Sequence, residues 1–598
     1  MIARIVPAVR LPASAAEQFE YSVPDHLAPA IMPGTVVIIP FAGRRVPGLV
    51  ISVKESSESG KTLKAIIGIA QGLNRLPAYT IDLWQKLIGI FATTWPRWCW
   101  MALPNVPERS IERGLLTPRD ERQEGKPING SSLSSIFVNE PDDQLIAVQK
   151  TIESAAGRQV LILVPTVREA SAWADEISGS RCYHSLLSAG SRYSIACACA
   201  DGTAKTIIGT KSAVLLPFLN LYSIVIVSAG SSSHKQEDSD PRFDARIVAE
   251  ETCLAAGARL SCLDPWPPLG RWKTLNASRL ITPVVHDLLN AARREKSRVL
   301  LDDSVQEALD KTVKSGGRAL VLLNRRGVSA SLICRDCGMP ICCLDCGLPL
   351  TNQFDRLTCA ADGRAYPLPE RCVKCEGTDF KPVGSGSKTI FDFLKKLFPN
   401  VSIAHFGGEV ARADPDKNQI IVGTTAIFRS FAPRFKPFDI AVDVFLGAGT
   451  AKNGYDSVEE TARIERSLVA TLKSGGELHI QTHDPSSPAL LALRDPKSAI
   501  NHELAERQAF GFPPFNIFIT IYGSGTDESR LWGEAIRVFE SVKSHMPRAI
   551  CHEPTWSRPK LFRKKYRLSF TVKTEPRTDY SGMIRLLPPG FAIEARMI

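Results

Sequence analysis

Eight of the chain's 15 cysteines lie between Cys334 and Cys375, and they are spaced for metal rather than for packing. Three Cys-x-x-Cys pairs stand there, Cys334/Cys337, Cys343/Cys346 and Cys372/Cys375, with Cys359 alone between the second and third. A Cys-x-x-Cys turn aims two thiolates at one point, and two such turns complete a tetrahedral zinc shell. The outer pairs, Cys334, Cys337, Cys372 and Cys375, make one complete set. Cys343, Cys346 and Cys359 then need a fourth ligand, and Asp362, three residues after Cys359, is the candidate, a carboxylate being a weaker zinc ligand than a thiolate. One or two Zn2+ ions per chain are expected, the alternative for either set being a cysteine-rich loop without metal. Cys342 is spare, and Cys99, Cys182, Cys197, Cys199, Cys253, Cys262 and Cys551 read as ordinary small core or surface residues.

The remaining sequence must build much more than a zinc module. At about 150 residues per domain, 598 residues predict about four domains. A composition of 44% hydrophobic and 23% charged residues excludes a disordered or collagen-like chain. Lys and Arg number 73 against 62 Asp and Glu, a net charge of +11 that suits contact with a polyanion but also occurs in proteins that never touch one. Apolar runs such as 221–229 stop at strand length, so no membrane span is expected. Arg4, Pro7 and Arg10 interrupt the N-terminal apolar residues and leave no signal-peptide core. A cytoplasmic, reducing location follows as an expectation, and there cysteines stay free or bind metal.

Short β-like runs at 2–9, 34–41 and 48–53 predict a β-rich N-terminal domain over residues 1–105. Residues 106–139 are charged and rich in Ser and Gly, and read as a linker or a vestigial small domain. A helix around 144–154, then apolar strands at 160–164 and 224–227, predict a doubly wound α/β lobe over 140–280. The pattern returns at 319–323, 420–422 and 440–446, predicting a second α/β lobe over 281–490 with the cysteine module 334–375 inserted. A helix at 528–543 and a strand near 566–573 predict an α+β domain over 491–598.

Seven segments resemble one family: FEYSVP (19–24), PGTVVIIPFAGRRVPGLV (33–50), IIGTKSAVLLPFLNL (207–221), HKQEDSDPRFDAR (234–246), NRRGVSASLICRDCG (324–338), the cysteine cluster, and ELAERQAFGFPPF (503–515). In that order they are similar to primosomal protein N′, the PriA family of replication-restart DNA helicases. The resemblance implies a 3′-end DNA-binding domain, two RecA-like helicase lobes with a double zinc insertion, and a C-terminal DNA-binding domain. It pairs the zinc ligands outer with outer and inner with inner, with a cysteine where this chain has Asp362. The family's winged-helix segment would have to fit within 106–139, which is too short for an intact one.

The same resemblance exposes departures at the ATP site. A phosphate loop needs GxxxxGK followed by Ser or Thr, because its backbone N–H groups curl around the phosphates, Lys neutralises charge and the hydroxyl holds magnesium. No such string occurs in the chain. Eight residues, Thr151 to Arg158, stand between the first helix of the lobe and the next strand, which reads as a deletion of the element. The family's DEEH box would follow the strand 224–227, where this chain has Ser228, Ala229, Gly230 and Ser231, none able to supply a carboxylate for magnesium. The GRAGR motif, source of an arginine finger, is absent from 467–483. GSGSKT (384–389) and DGTAKT (201–206) resemble phosphate loops only superficially; the former matches a Gly-x-Gly turn of the family.

Motif matching assigns the 3′-end pocket to Phe19, Glu20, Ala42 and Lys64, with Phe19 stacking on a terminal base and Lys64 meeting a phosphate. The family prefers Asp at position 20 and Gly at 42, and a core Phe with a surface Lys is the alternative. Between 558 and 567, RPKLFRKKYR carries Arg563, Lys564, Lys565 and Arg567 among aromatic residues and no acid, which suits single-stranded or forked DNA or, alternatively, a solvated basic face. The expectation is a replication-restart protein that binds stalled-fork DNA and recruits other replication-restart proteins without being an enzyme, a nucleoid-associated monomer that keeps away from membranes. The alternatives are an active ATP-dependent 3′-5′ helicase and a zinc-ribbon nucleic-acid factor outside replication.

Overall fold

The computed structural model describes residues 1–55, 62–73, 75–112, 133–137, 141–237, 240–266, 269, 274–275, 280–288, 300–323, 330–337, 339, 341–343, 350–353, 356–359, 364–383, 387–406, 415–425, 427–428, 436–447, 455–562, 564–576 and 578–597. The N-terminal domain is a six-stranded antiparallel sheet built from β1 (Ile2–Pro7), β2 (Phe19–Ser22), β3 (Val36–Phe41), β4 (Arg44–Lys54), β5 (Gly68–Ala70) and β6 (Ile111–Glu112), in the order β2-β1-β4-β3-β5-β6. Its β-branched strands alternate: Ile5, Val37, Ile39, Val50 and Ile69 pack on Tyr21, Leu27 and Ile31 in one core. On the other face Val6, Val36 and Leu49 join α1 (Thr80–Ile90) and α2 (Trp95–Ala102) in a core continuous with the first α/β lobe, where Trp98 packs against Phe91 and Phe243.

That lobe is a seven-stranded, all-parallel sheet. In chain order its elements are β7 (Leu133–Phe137), α3 (Pro141–Ser154), β8 (Gln159–Leu163), α4 (Val167–Glu176), β9 (Arg181–Tyr183), α5 (Ala189–Ala200), β10 (Thr206–Gly209), β11 (Leu221–Val227), the two-residue strands β12 (Lys235–Gln236) and β13 (Phe243–Asp244), which pair with each other outside the main sheet, α6 (Ala245–Ala256), β14 (Arg259–Asp264) and β15 (Thr274–Leu275). The sheet order is β15-β7-β14-β11-β8-β10-β9. Its central strands are buried on both faces, as β11 is along LYSIVIV, which is why they read as unbroken apolar runs.

Two expectations need correction here. The segment 106–139 is not a linker throughout: β6 closes the N-terminal sheet, β7 pairs in parallel with β14 and β15, and only 113–132 lies between them, outside the described residues. Nor is the span before β8 without a strand and a helix: β7 and α3 precede it, and residues 138–140 between them lie outside the described residues.

The second lobe contains β16 (Val284–Asp287), α7 (Asp303–Lys314) and β17 (Ala319–Leu322). The cysteine module follows, with β18 (Ala330–Cys334), β19 (Thr351–Gln353), β20 (Arg356–Thr358), β21 (Ala365–Tyr366) and β22 (Phe380–Val383). Then come α8 (Ser387–Leu397), β23 (Ile403–Phe406), β24 (Ile420–Gly423), β25 (Phe438–Asp443), α9 (Ser457–Ala470) and β26 (Leu472–Thr482). The lobe sheet is again all parallel, in the order β16-β26-β25-β17-β24-β23, while the module forms its own antiparallel sheet, β21-β20-β19-β18-β22. The core of the lobe takes in Leu490 and Leu493 of α10 (Pro488–Arg494), so the boundary falls after this helix rather than at residue 490.

After α11 (Pro496–Ala509) the chain ends in an antiparallel sheet of β27 (Ile517–Gly525), β28 (Ile550–Phe562), β29 (Lys565–Thr574) and β30 (Phe591–Arg596), in the order β28-β29-β27-β30, with α12 (Glu528–His545) packed on it. Leu568, Phe570 and Val572 alternate inward along β29 and meet Phe539 and Val542 of α12. Among the described residues no helix is long and apolar enough to cross a membrane.

Candidate nucleic-acid interface and metal centre

Phe19, Glu20, Ala42 and Lys64 come from three separate segments and line one open cavity of about 610 Å³, together with Arg4, Phe41 and Thr62. Antiparallel pairing sets the floor, since β1 faces β2 with Arg4 opposite Glu20 and Ile5 opposite Phe19. Phe41 meets Phe19 edge to face, ring centroids 5.2 Å apart, and Phe19 is half-buried, packed on the edge of the domain core while lining the cavity. Ala42 and Gly43 form the two-residue loop between β3 and β4, with φ of 47° and 76°. Such a hairpin loop needs positive φ at both central residues, a conformation that strains any residue with a Cβ, which is why glycine would be the less costly choice at 42. Lys64 is exposed, and its carbonyl accepts the Ser22 N–H at 3.0 Å, anchoring that segment beside β2.

The cavity thus combines an aromatic face, a carboxylate and two cationic side chains, the set that can stack a base and meet a terminal hydroxyl and a phosphate. Arg4 and Phe41 were not singled out from the sequence. The signal was available in strand alternation: β1 and β2 are adjacent, so Arg4 must share a face with Glu20 once the register is known.

In the cysteine module the sulfurs of Cys334, Cys337, Cys372 and Cys375 all lie within 4.8 Å of one another. Cys334 and Cys375 are 3.5 Å apart and Cys337 and Cys372 3.6 Å apart. Four thiolates about 2.3 Å from one tetrahedral ion stand about 3.8 Å from each other, so the set fits Zn2+. The backbone N–H groups of Lys374 and Cys375 lower the Cys372 thiol to about 7, toward the thiolate that binds metal. The β18–β22 pairing brings the first cysteine turn beside the last, with Cys334 opposite Phe380. Of the second set, Cys343 and Cys359 are buried among Leu332, Leu350 and Leu357, and the Cys343 sulfur lies 3.1 Å from the Tyr366 hydroxyl. Cys346 and Asp362 lie outside the described residues.

The basic segment is a β-hairpin, β28 turning into β29, with Phe562 opposite Lys565. Lys564 and Lys565 are exposed at its tip, and the Arg567 guanidinium lies over the Phe562 ring at 5.3 Å. Lys560 is paired with Glu528 at 2.5 Å and lies over Trp556. Arg563 lies outside the described residues.

After β11, Ser228 has φ 50° and Ala229 is buried, its carbonyl accepting from Arg246 at 3.0 Å. Burial, with Arg246 adding to it, pushes the His234 imidazole down to about 4, and its Nε2 lies 3.1 Å from the Val227 carbonyl. Against the cost of burial, Arg246 holds Asp244 down to about 2. Buried and mutually bonded, these groups hold the turn after β11 in place.

The family model of the PriA 3′DNA-binding domain matches residues 8–104. With the two parallel α/β lobes beside it, the fold defines a multidomain protein whose N-terminal segment matches a DNA-binding domain. The chain is 23% identical over 504 residues to the replication restart protein PriA of Bacillus subtilis (77% of this chain, 60% of that protein), and 26% identical over 423 residues to that of Treponema pallidum (65% and 62%). It is 21% identical over 583 residues to that of Rickettsia conorii, covering 88% of each. The chain is thus similar to PriA proteins over most of its length. It nevertheless spans only about 60% of the length of the Bacillus and Treponema relatives. Among solved structures it is similar to the DUF1998 helicase MrfA bound to DNA, at 14% identity and TM-score 0.34, covering 62% of this chain and 46% of that one.

Proposed function

We propose that this protein captures a free 3′ end at branched DNA during replication restart, and that it acts as a binding scaffold without an ATP-driven motor. The observation that carries the first half is the convergence of Phe19, Glu20, Ala42 and Lys64 on one cavity within the segment matched to a 3′DNA-binding domain. Stacking of a base on an aromatic ring contributes roughly 1–3 kcal/mol, so Phe19→Ala should weaken binding to a fork bearing a leading-strand 3′ hydroxyl about 5- to 150-fold. The same variant should bind a fork whose 3′ end is capped with a bulky group as the unaltered protein does. Equal loss on both forks would remove the pocket from the account.

The hairpin tip extends the grip to the phosphate backbone. Replacing Arg563, Lys564, Lys565 and Arg567 together with Ala should flatten the slope of log K against log salt by about 0.7–0.9 for each phosphate that is no longer neutralised. Anisotropy titrations between about 50 and 200 mM salt measure it, and an unchanged slope makes the hairpin a merely solvated face.

The second half is supported by residues that cannot do phosphate chemistry. Residues 138–140 between β7 and α3 are Val138, Asn139 and Glu140, followed by Pro141, Asp142 and Asp143, with neither glycine nor lysine and with three acids where a triphosphate would need cations. Ser228–Ser231 provide no carboxylate. We read the recruitment of other replication-restart proteins to the captured fork as the task that remains, and the four-cysteine module as a zinc-stabilised unit of that scaffold.

A further inference from the structure

At the carboxyl ends of β11 and β14 lobe 1 meets lobe 2 through buried charge. Arg463, on α9 of lobe 2, reaches across so that its Nε donates to the Trp266 carbonyl at 3.2 Å and lies 3.6 Å from the carboxylate of Asp264, the last residue of β14. The remaining guanidinium nitrogens are held on α9 itself, by Glu459 at 2.8 Å and Glu460 at 2.6 Å. Glu459 passes the chain of charge on to Arg507 of α11 at 2.7 Å, and Arg507 to Glu503 at 2.8 Å. Asp264 is fixed from its own side by the N–H groups of Gly230 and Trp266, each at 2.8 Å. Except for the outer partner Glu460, these charged side chains are nearly or fully removed from water.

An apolar layer lies alongside. Trp266 and Leu269 of lobe 1 pack on Ala462 of α9 and Ala492 of α10, with Ile500 and Leu504 of α11 closing the cluster. Gly230 completes the fit, because a Cβ there would fall inside the Arg463 guanidinium. A long side chain would ordinarily swing aside from such a methyl group, but this one is pinned at every nitrogen.

We propose that Arg463 is an interlobe clamp, which holds the two lobes in one relative orientation. The inference deepens the motor-free reading and rests on it for its functional meaning: a two-lobed motor must open and close the cleft between its lobes, whereas a scaffold gains from holding it shut. Removing one partner from a buried, hydrogen-bonded ion network is strongly destabilising, so the clamp should fail at single substitutions.

The test uses the full-length, zinc-loaded protein, with fluorophores on bio-orthogonal residues replacing the exposed Leu186 in lobe 1 and Leu397 in lobe 2. Single-molecule transfer should show one narrow interlobe distance, unchanged by forked DNA and by millimolar ATP. Arg463→Ala and Gly230→Ala should each broaden or split it, and amide exchange along α9 should accelerate at least about tenfold. Melting curves and zinc content establish that each variant is folded; should either fail to fold, Arg463→Lys, which keeps the charge and loses the fork of donors, is expected to broaden the distribution as well. A wild-type distance that is already broad or that moves with DNA or ATP overturns the clamp, as does a narrow distance retained in Arg463→Ala. Phosphate release from the same samples separates the two readings. Turnover with an immobile cleft overturns only the motor-free reading, and a mobile cleft without turnover overturns only the clamp.

Discussion

Cys334→Ala combined with Cys372→Ala will release one equivalent of zinc and melt the module from β18 to β22, while both lobes stay folded. The module's described core is a small group around Leu332, Leu350 and Leu357, too little apolar surface to hold five short strands together without a staple. Structural zinc supplies about 10–16 kcal/mol of apparent binding energy at pH 7 in zinc-finger peptides, and such modules are folded only with the ion. Limited proteolysis should cut 330–383 rapidly in the double variant and in chelated wild type. Metal analysis of wild type purified without added zinc should give between one and two ions per chain, because one set has four thiolates and the other includes Asp362. A metal content near zero, or a module that resists protease after chelation, contradicts the assignment.

Ser228→Asp combined with Ala229→Glu will leave ATP turnover at background. Placing acids after β11 supplies a site for magnesium but nothing to hold a triphosphate, since residues 138–143, from the end of β7 into α3, include neither glycine nor lysine. No GRAGR string occurs in the chain either, and an arginine finger alone is worth about 10³ to 10⁵ in rate in nucleotide hydrolases. Ala229 is fully buried with its carbonyl engaged by Arg246, so the added glutamate will also lower the melting temperature, which calorimetry checks. Stimulated phosphate release in this variant would mean that a nucleotide site exists elsewhere.

The sequence made some features legible because they are local. Cysteine pairs at fixed spacing locate the metal set, and continuous apolar runs such as LYSIVIV mark buried parallel strands, since both faces of such a strand must be apolar. β7 was hidden for the opposite reason. LSSIF carries two serines in a segment rich in Ser and Gly, and only its pairing with β14 and β15 makes it a strand. That hidden strand is why the span before β8 reads as a deletion from the sequence. The pocket positions were reached through motif matching, but Arg4 and Phe41 required the strand register. Of the Arg463 network only the pairs three and four residues apart on one helix were within reach of the sequence; the links from Arg463 to Asp264 and from Glu459 to Arg507 join residues far apart in the chain, and no local period connects them.

Phosphate release by the highly purified wild-type protein tests most directly whether this chain, similar to PriA proteins, binds forked DNA without driving a motor. ATP hydrolysis should be measured with no DNA and with saturating fork bearing a free leading-strand 3′ end, with fork binding confirmed in the same tube by anisotropy. The account predicts tight binding and a rate equal to the buffer blank in both conditions. Fork-stimulated phosphate release, proportional to protein and rising well above that blank, would contradict it.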